Sequence, residues 1–160
     1  MSTAMTETGN KISAAKRAFE FGALVFLLLG FAHALGIVVD MFRPFLFTPV
    51  DPQVKQTMMD ATILITDRTS LWKAWLGFNL IHGYGVFFFG LITFLLAHDN
   101  FGYVIKHRAL FPLVLFMALS YLIMAVVFWF YVPVLGCALG FGGFIVSFVL
   151  IRQRLRVGEI

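Results

Sequence analysis

The sequence predicts an all-α protein, a four-transmembrane-helix bundle with a short amphipathic helix between spans 1 and 2. The first observation is composition: 61% of the residues are hydrophobic and only 12% are charged, whereas about 25% are charged in an ordinary soluble domain. The second is that four apolar runs are each long enough to cross a hydrocarbon core of about 30 Å. Because such a chain would expose large apolar patches to water, we expect lipid to surround it.

Charge and cysteine content narrow the functional classes. The net charge is +4, but the positive residues flank the apolar runs, which indicates membrane topology and not nucleic-acid binding. The single cysteine, Cys137, excludes an internal disulfide and a multi-cysteine metal site. We expect one membrane domain over residues 18–151, a mobile cytoplasmic segment over residues 1–17 and a basic cytoplasmic tail over residues 152–160.

Span 1 is predicted over Ala18–Val39. Ala32-His33-Ala34 matches the small-residue pattern of a signal-peptide cleavage site. The apolar run continues beyond that pattern through Leu35–Val39, which makes the whole run long enough to span, so we expect an uncleaved helix.

The connection Asp40–Ser70 is predicted to contain the amphipathic helix. Phe42–Pro49 mixes aromatic residues with two prolines, which disfavours a regular helix and suits the headgroup layer. Asp51 and Pro52 then predict an N-cap and a first helical residue. We expect this helix to lie on the membrane surface or to cap the bundle. Its apolar face is predicted to contain Val54, Met58, Ala61 and Ile65.

Three further spans complete the predicted bundle. Thr69 or Ser70 is expected to cap span 2, and Val132-Pro133 predicts the turn before span 4. The elements are span 2 (Leu71–Ala97), a polar loop (His98–Arg108), span 3 (Ala109–Tyr131) and span 4, which ends at Ile151.

The distribution of Lys and Arg predicts the orientation. Eight lie in the N-terminal segment, the loop between spans 2 and 3 and the C-terminal tail, and four lie on the other side. Because cytoplasmic segments carry the excess of positive charge, both termini are expected in the cytoplasm. The eight are Lys11, Lys16, Arg17, Lys106, Arg108, Arg152, Arg154 and Arg156, and the four are Arg43, Lys55, Arg68 and Lys73.

Small residues at helical spacing predict close helix packing, since apolar burial drives little association in lipid. Span 1 offers Gly30 and Gly36, and span 4 offers Gly136, Gly140 and Gly143. One interpretation is packing within the chain. The other is an interface through span 4 with a second copy or a partner membrane subunit.

Six residues define a candidate polar pocket. His33 lies about 10 Å and His82 about 16 Å from the outer ends of the antiparallel spans 1 and 2, so the two imidazoles are expected within one or two turns of each other. Polar groups in lipid must point inward and find partners. The candidates are His33, Asp40, Trp75, Asn79, His82 and Tyr121.

These residues admit three interpretations. They form an interhelical hydrogen-bond network, or they line a pocket in which one histidine acts as a base or grips a ligand. The third is a bis-histidine haem b held by His33 and His82, although the small residues beside both histidines favour close helix approach. A zinc site is disfavoured because only Asp40 offers a third ligand nearby.

A motif at the start of span 2 carries a family resemblance. It reads Trp72-x-x-Trp75-x-Gly77-Phe78-Asn79-x-x-His82-Gly83-x-Gly85. Together with the long outer loop and a histidine in span 1, it resembles small uncharacterised bacterial four-helix integral membrane proteins. The resemblance implies the four-span fold and an inner-membrane location, and it supplies no activity.

Two functional hypotheses follow. Because the sequence has no recognisable catalytic set, the first is a non-enzymatic accessory subunit or a binder of a small hydrophobic ligand. The alternative is a membrane-embedded enzyme or redox protein that uses His33 and His82. Expected partners are the lipid bilayer and either a second copy or a partner membrane subunit. No metal and no cofactor are predicted, apart from the haem b of the alternative.

Overall fold

A computed structural model describes residues 2–157 and the side chains of residues 12–153. Four of its helices are long and apolar enough to cross a membrane, and a short helix lies between the first two of them. The predicted all-α fold class is therefore confirmed, and the chain is a multi-pass integral membrane protein. In chain order the elements are α1 (Ser2–Phe42), α2 (Pro52–Asp60), β1 (Thr62–Ile63), β2 (Thr66–Ser70), α3 (Leu71–Lys106), α4 (Leu110–Val127) and α5 (Tyr131–Val157).

The mobility expected for residues 1–17 stays a prediction, because a helical backbone does not test it. Helix α1 begins at Ser2. Residues 2–17 contain no proline, so every residue of this segment has the backbone amide that a helix uses. The last residues of the predicted tail, 158–160, lie outside the described part of the chain.

The predicted polar loop over His98–Arg108 is helical as far as Lys106. The helical path of α3 is interrupted at Asn100, which has φ −149° and ψ 69°. The Asn100 side chain accepts a hydrogen bond from the Tyr103 amide at 3.0 Å, so it caps the last segment of the helix. The polar residues therefore divide α3 into two helical segments that meet at Asn100.

The turn before the last span lies earlier than predicted. Phe128–Phe130 forms this turn, and Trp129 at its centre has a φ of 58°. Pro133, predicted to lie in the turn, instead occupies the first turn of α5, where no intrahelical partner is required for its missing amide. The first backbone bond of α5 joins the Val134 amide to the Phe130 carbonyl at 2.8 Å.

The chain forms two compact units. The first contains residues 1–28 and 88–160, and it is a four-helix bundle of segments from α1, α3, α4 and α5. Its core is centred on Phe19, whose ring makes edge contacts with rings from the other three helices. The ring centroids lie 5.8 Å from Phe101, 5.2 Å from Phe111 and 4.8 Å from Phe144.

Close backbone approaches hold the first unit together. A Cβ atom at Gly143 of α5 would lie 2.8 Å from the Ala18 carbonyl of α1, and one at Gly140 would lie 2.7 Å from the Phe26 ring. These two predicted packing residues therefore contact α1 of the same chain. A Cβ atom at Gly90 of α3 would overlap the backbone nitrogen of Leu27.

The second unit contains residues 29–87, in which α1 and α3 are the only long-helix segments. A Cβ atom at Gly30 would overlap the Phe87 backbone, so the two helices touch there. An apolar cluster of Ile37, Trp72 and Leu76 lies toward the α2 end of this unit. Met58 of α2 packs against the cluster, so α2 caps the helix pair.

The predicted start of α2 is confirmed, and its predicted apolar face is not. The Asp51 side chain accepts a hydrogen bond from the Gln53 amide at 2.8 Å. The helix ends at Asp60, so Ala61 and Ile65 do not share its face. The residues that follow form the antiparallel hairpin β1–β2, because the run from Thr62 to Thr66 is rich in β-branched side chains that favour strands.

The contact between α1 and α3 at Gly90 makes a testable prediction. Replacing Gly90 by Ala should destabilise the protein by about 1–3 kcal/mol, because the added methyl group meets backbone that cannot rotate away. The matched control is Gly77→Ala in the same helix, where an added Cβ meets nothing within 4 Å. The control should be neutral or stabilising by up to about 1 kcal/mol. Thermal unfolding in mild detergent measures both, and equal stabilities would contradict the packing.

Candidate functional site

Asp40 near the end of α1 organises the connection that follows it. Its side chain is only 2% exposed, and its carboxylate accepts five hydrogen bonds. The donors are the amides of Phe45 (2.9 Å), Leu46 (3.0 Å), Phe47 (2.9 Å) and Thr48 (3.2 Å) and the Thr48 hydroxyl (2.6 Å).

These bonds make Asp40 a loop anchor. Among the described side chains, no cation pairs with this carboxylate, so the amide dipoles and the hydroxyl compensate its burial. The segment 45–48 has no helical or strand bonds of its own, and the carboxylate satisfies four consecutive amides that would otherwise need other acceptors. Asp40 therefore has little remaining capacity to bind a ligand.

The structure brings the two intramembrane histidines together. The ring centroids of His33 and His82 lie 5.3 Å apart in an edge-to-face arrangement. The anchored segment covers His33 from the other side, because the Phe47 ring centroid lies 4.7 Å from that imidazole. Beside them, a Cβ atom at Gly83 would lie 2.9 Å from the Ala34 backbone nitrogen. Close helix contact thus fixes the ring pair.

Trp75 and Asn79 connect the histidines to the anchored segment. The Trp75 indole donates a hydrogen bond to the Phe47 carbonyl at 3.2 Å. The Asn79 amide donates to the Trp75 carbonyl at 2.9 Å, and Asn79 also lies beside the His33 imidazole. His33 Nε2 is buried and has no hydrogen-bond partner among the described residues.

The two histidines differ in exposure. His33 is partly buried beneath Phe47, whereas the His82 side chain is exposed on the surface of α3 together with Phe78 and Ile81. The pair therefore reaches the surface of the helix pair through His82. Phe47 covers the histidine pair on the His33 side, and the His82 side is open to the surface. The packed rings occupy the space in which a small ligand would sit.

Tyr121, the sixth predicted site residue, belongs to the first unit. Its ring packs against Phe26 at 6.0 Å and Phe89 at 5.8 Å. Its participation in a site with the histidines stays a prediction. Gly36, predicted to pack against another helix, instead faces the side chains of Leu46 and Phe47 in the anchored segment.

Two surface cavities, of about 440 and 240 Å³, lie in the first unit. The larger is mainly apolar and is bordered by Lys16 and Lys106, and the smaller lies beside Arg152. Neither is lined by any of the six predicted site residues. Within the described residues, no group of three or more His, Cys, Asp or Glu is arranged to hold a metal ion.

Sequence reasoning missed Phe47 and a polar cluster between α1 and α3. In this cluster His98 Nδ1 lies 3.3 Å from a Glu20 carboxylate oxygen, and Lys16 donates to the His98 carbonyl at 2.7 Å. The signal for the cluster was available, since Glu20 is an acidic residue inside an apolar run. Phe47 carried no comparable signal, because its role depends on the fold of the segment around Asp40.

No protein-family model, curated protein or solved structure matches this chain. The resemblance to four-helix bacterial membrane proteins therefore stays a prediction, and function has to be argued from the geometry.

The Asp40 anchor makes a testable prediction. Replacing Asp40 by Asn converts one acceptor oxygen into a donor, which leaves at least two buried amides unsatisfied and costs about 3 kcal/mol locally. Amide hydrogen exchange over residues 45–48 in lipid nanodiscs should accelerate roughly 100-fold. Asp51→Asn is the matched control, because Asn caps a helix about as well as Asp. Unchanged protection in D40N would contradict the anchor.

Proposed function

We propose that this protein is a non-enzymatic accessory subunit that packs against a partner membrane helix. The docking surface is the exposed face of α3 in the second unit, which carries Phe78, Ile81 and His82. The observation that supports this is the exposure of the His82 imidazole about 16 Å from the start of a membrane-spanning helix.

Polar and apolar side chains differ in the free-energy cost of exposure to lipid. Exposed apolar side chains such as Ile81 are well solvated by acyl chains, so their burial drives little helix association. An exposed imidazole at that depth is more costly in lipid, and packing a second helix over it replaces acyl chains with protein. The second unit has two long-helix segments, so much of the surface of each remains open for such a partner.

The packing around His33 favours an assembly role over small-ligand binding. Phe47 covers one side of the imidazole and His82 contacts it on another. A ligand under the loop would have to displace Phe47, whose backbone is tied to Asp40. The polar residues are better explained as a network that fixes α1, α3 and the connection in one arrangement.

A second candidate function is a membrane-embedded redox protein or enzyme that uses His33 and His82, and the 5.3 Å separation of their rings favours it. A bis-histidine haem fits poorly, because rings in edge-to-face contact leave no gap for a porphyrin plane. An absorption spectrum of the purified protein tests the haem form of this candidate, and a Soret band would support it over the accessory role.

Crosslinking tests the docking surface. A photo-crosslinking residue at Ile81, which is 69% exposed, should give a protein adduct in native membranes, whereas the same residue at Phe116 of α4, which is 66% exposed, should not. His82→Leu should lower the Ile81 adduct at least about fivefold, since interhelical polar contacts contribute about 1–2 kcal/mol. Mass spectrometry identifies the adduct as a second copy or another protein. Equal yields at the two positions would contradict the proposal.

We also propose a bacterial inner-membrane location with both termini in the cytoplasm, supported by the charge distribution. In a Cys137→Ala background, cysteine at Asp60 should react with an impermeant maleimide added to intact spheroplasts. Cysteine at Lys106 should react only after lysis. The reverse pattern would overturn the orientation.

A further inference from the structure

The tip of the hairpin β1–β2 presents two aliphatic side chains with no protein cover. Leu64 and Ile65 are 105% and 89% exposed. Hairpin tips are usually formed by Gly, Asn, Asp or Pro, whereas this one is an aliphatic pair flanked by Ile63 and Thr66. Neither side chain contributes to the apolar cluster of the second unit.

The base of the hairpin is joined to a membrane-spanning helix. The Leu71 amide, at the first residue of α3, donates a hydrogen bond to the Ala61 carbonyl at 2.8 Å. Strand β2 has five residues and ends at Ser70, immediately before α3. At about 3.3 Å per residue, Ile65 at the tip lies within about 20 Å of Leu71 at the start of α3. Trp72 and Trp75 in the first turns of α3 are typical of the interfacial level of a bilayer.

We propose that Leu64 and Ile65 insert into the interfacial layer of the bilayer that α3 crosses. The tether keeps the tip close to lipid, and insertion removes two exposed aliphatic side chains from water. Phe42, Leu46 and Val50 of the same connection are also exposed apolar residues. We favour lipid over a protein as the partner of the hairpin tip, because lipid surrounds α3 wherever this helix crosses a membrane.

The hairpin also limits the depth of insertion. Its two strands have open edges, whose backbone groups need water or headgroups as partners and cannot enter the hydrocarbon core. Asp67 and Arg68, both exposed on β2, have to stay at the polar level. Insertion is therefore confined to the two side chains at the tip.

Depth-dependent fluorescence quenching tests this inference. In the Cys137→Ala background, Leu64→Cys is labelled with an environment-sensitive fluorophore and reconstituted into phosphatidylcholine nanodiscs at one chain per disc. Lipids spin-labelled near the headgroup should quench its emission at least about twofold more than lipids labelled deep in the acyl chain. Asp60→Cys, on the same connection, is the matched control and should show water-like emission with little quenching.

The outcomes separate the possible occupants. Water-like emission at position 64 equal to that at position 60 would overturn the proposal, and so would a blue shift that appears only with two chains per disc or with added membrane extract. Ile65→Cys gives an independent second reading if the Leu64 variant folds poorly. The result does not depend on the α3 docking surface, because neither labelled position lies on that face.

Discussion

The second unit depends on the Asp40 carboxylate, a buried charge that is compensated by amides and a hydroxyl of its own chain. This interaction converts an irregular proline-containing segment into a fixed element without secondary structure. The position of Phe47 follows from it, and through Phe47 so do the cover of His33 and the hydrogen bond that orients Trp75. One carboxylate thus links the end of α1 to the start of α3.

The helix pair beneath this anchor is held by a different physical mechanism. Gly30 and Gly83 bring the backbones of α1 and α3 into contact, which gives van der Waals attraction in a solvent where apolar burial contributes little. This contact fixes His33 and His82 in one register and leaves His82 on the surface. The close packing that explains the ring pair therefore also leaves a polar side chain on the surface of α3, and this side chain is the basis of the proposed docking surface.

The sequence was sufficient for features that depend on local chemistry. The four spans follow from hydropathy and length, and the caps at Asp51 and Ser70 follow from side chains that satisfy nearby amides. The sequence was insufficient for features that depend on contacts between distant parts of the chain. The function of Asp40 depends on four amides that only the folded segment brings together, and the hairpin replaced a helical face because β-branched propensity at residues 62–66 outweighed the period expected from Ala61 and Ile65.

The shortness of α4 has a consequence for the membrane itself. Its 18 residues rise about 27 Å, slightly less than a typical hydrocarbon core, so this helix leaves little room for tilt. The turn at its end exposes Phe128, Trp129 and Phe130, and Tyr131 follows them. Aromatic rings of this kind settle at the boundary between acyl chains and headgroups. Helix α4 is therefore the shortest of the four candidate spans, and a thicker membrane would have to be met by local thinning or by flanking side chains that extend toward the headgroups.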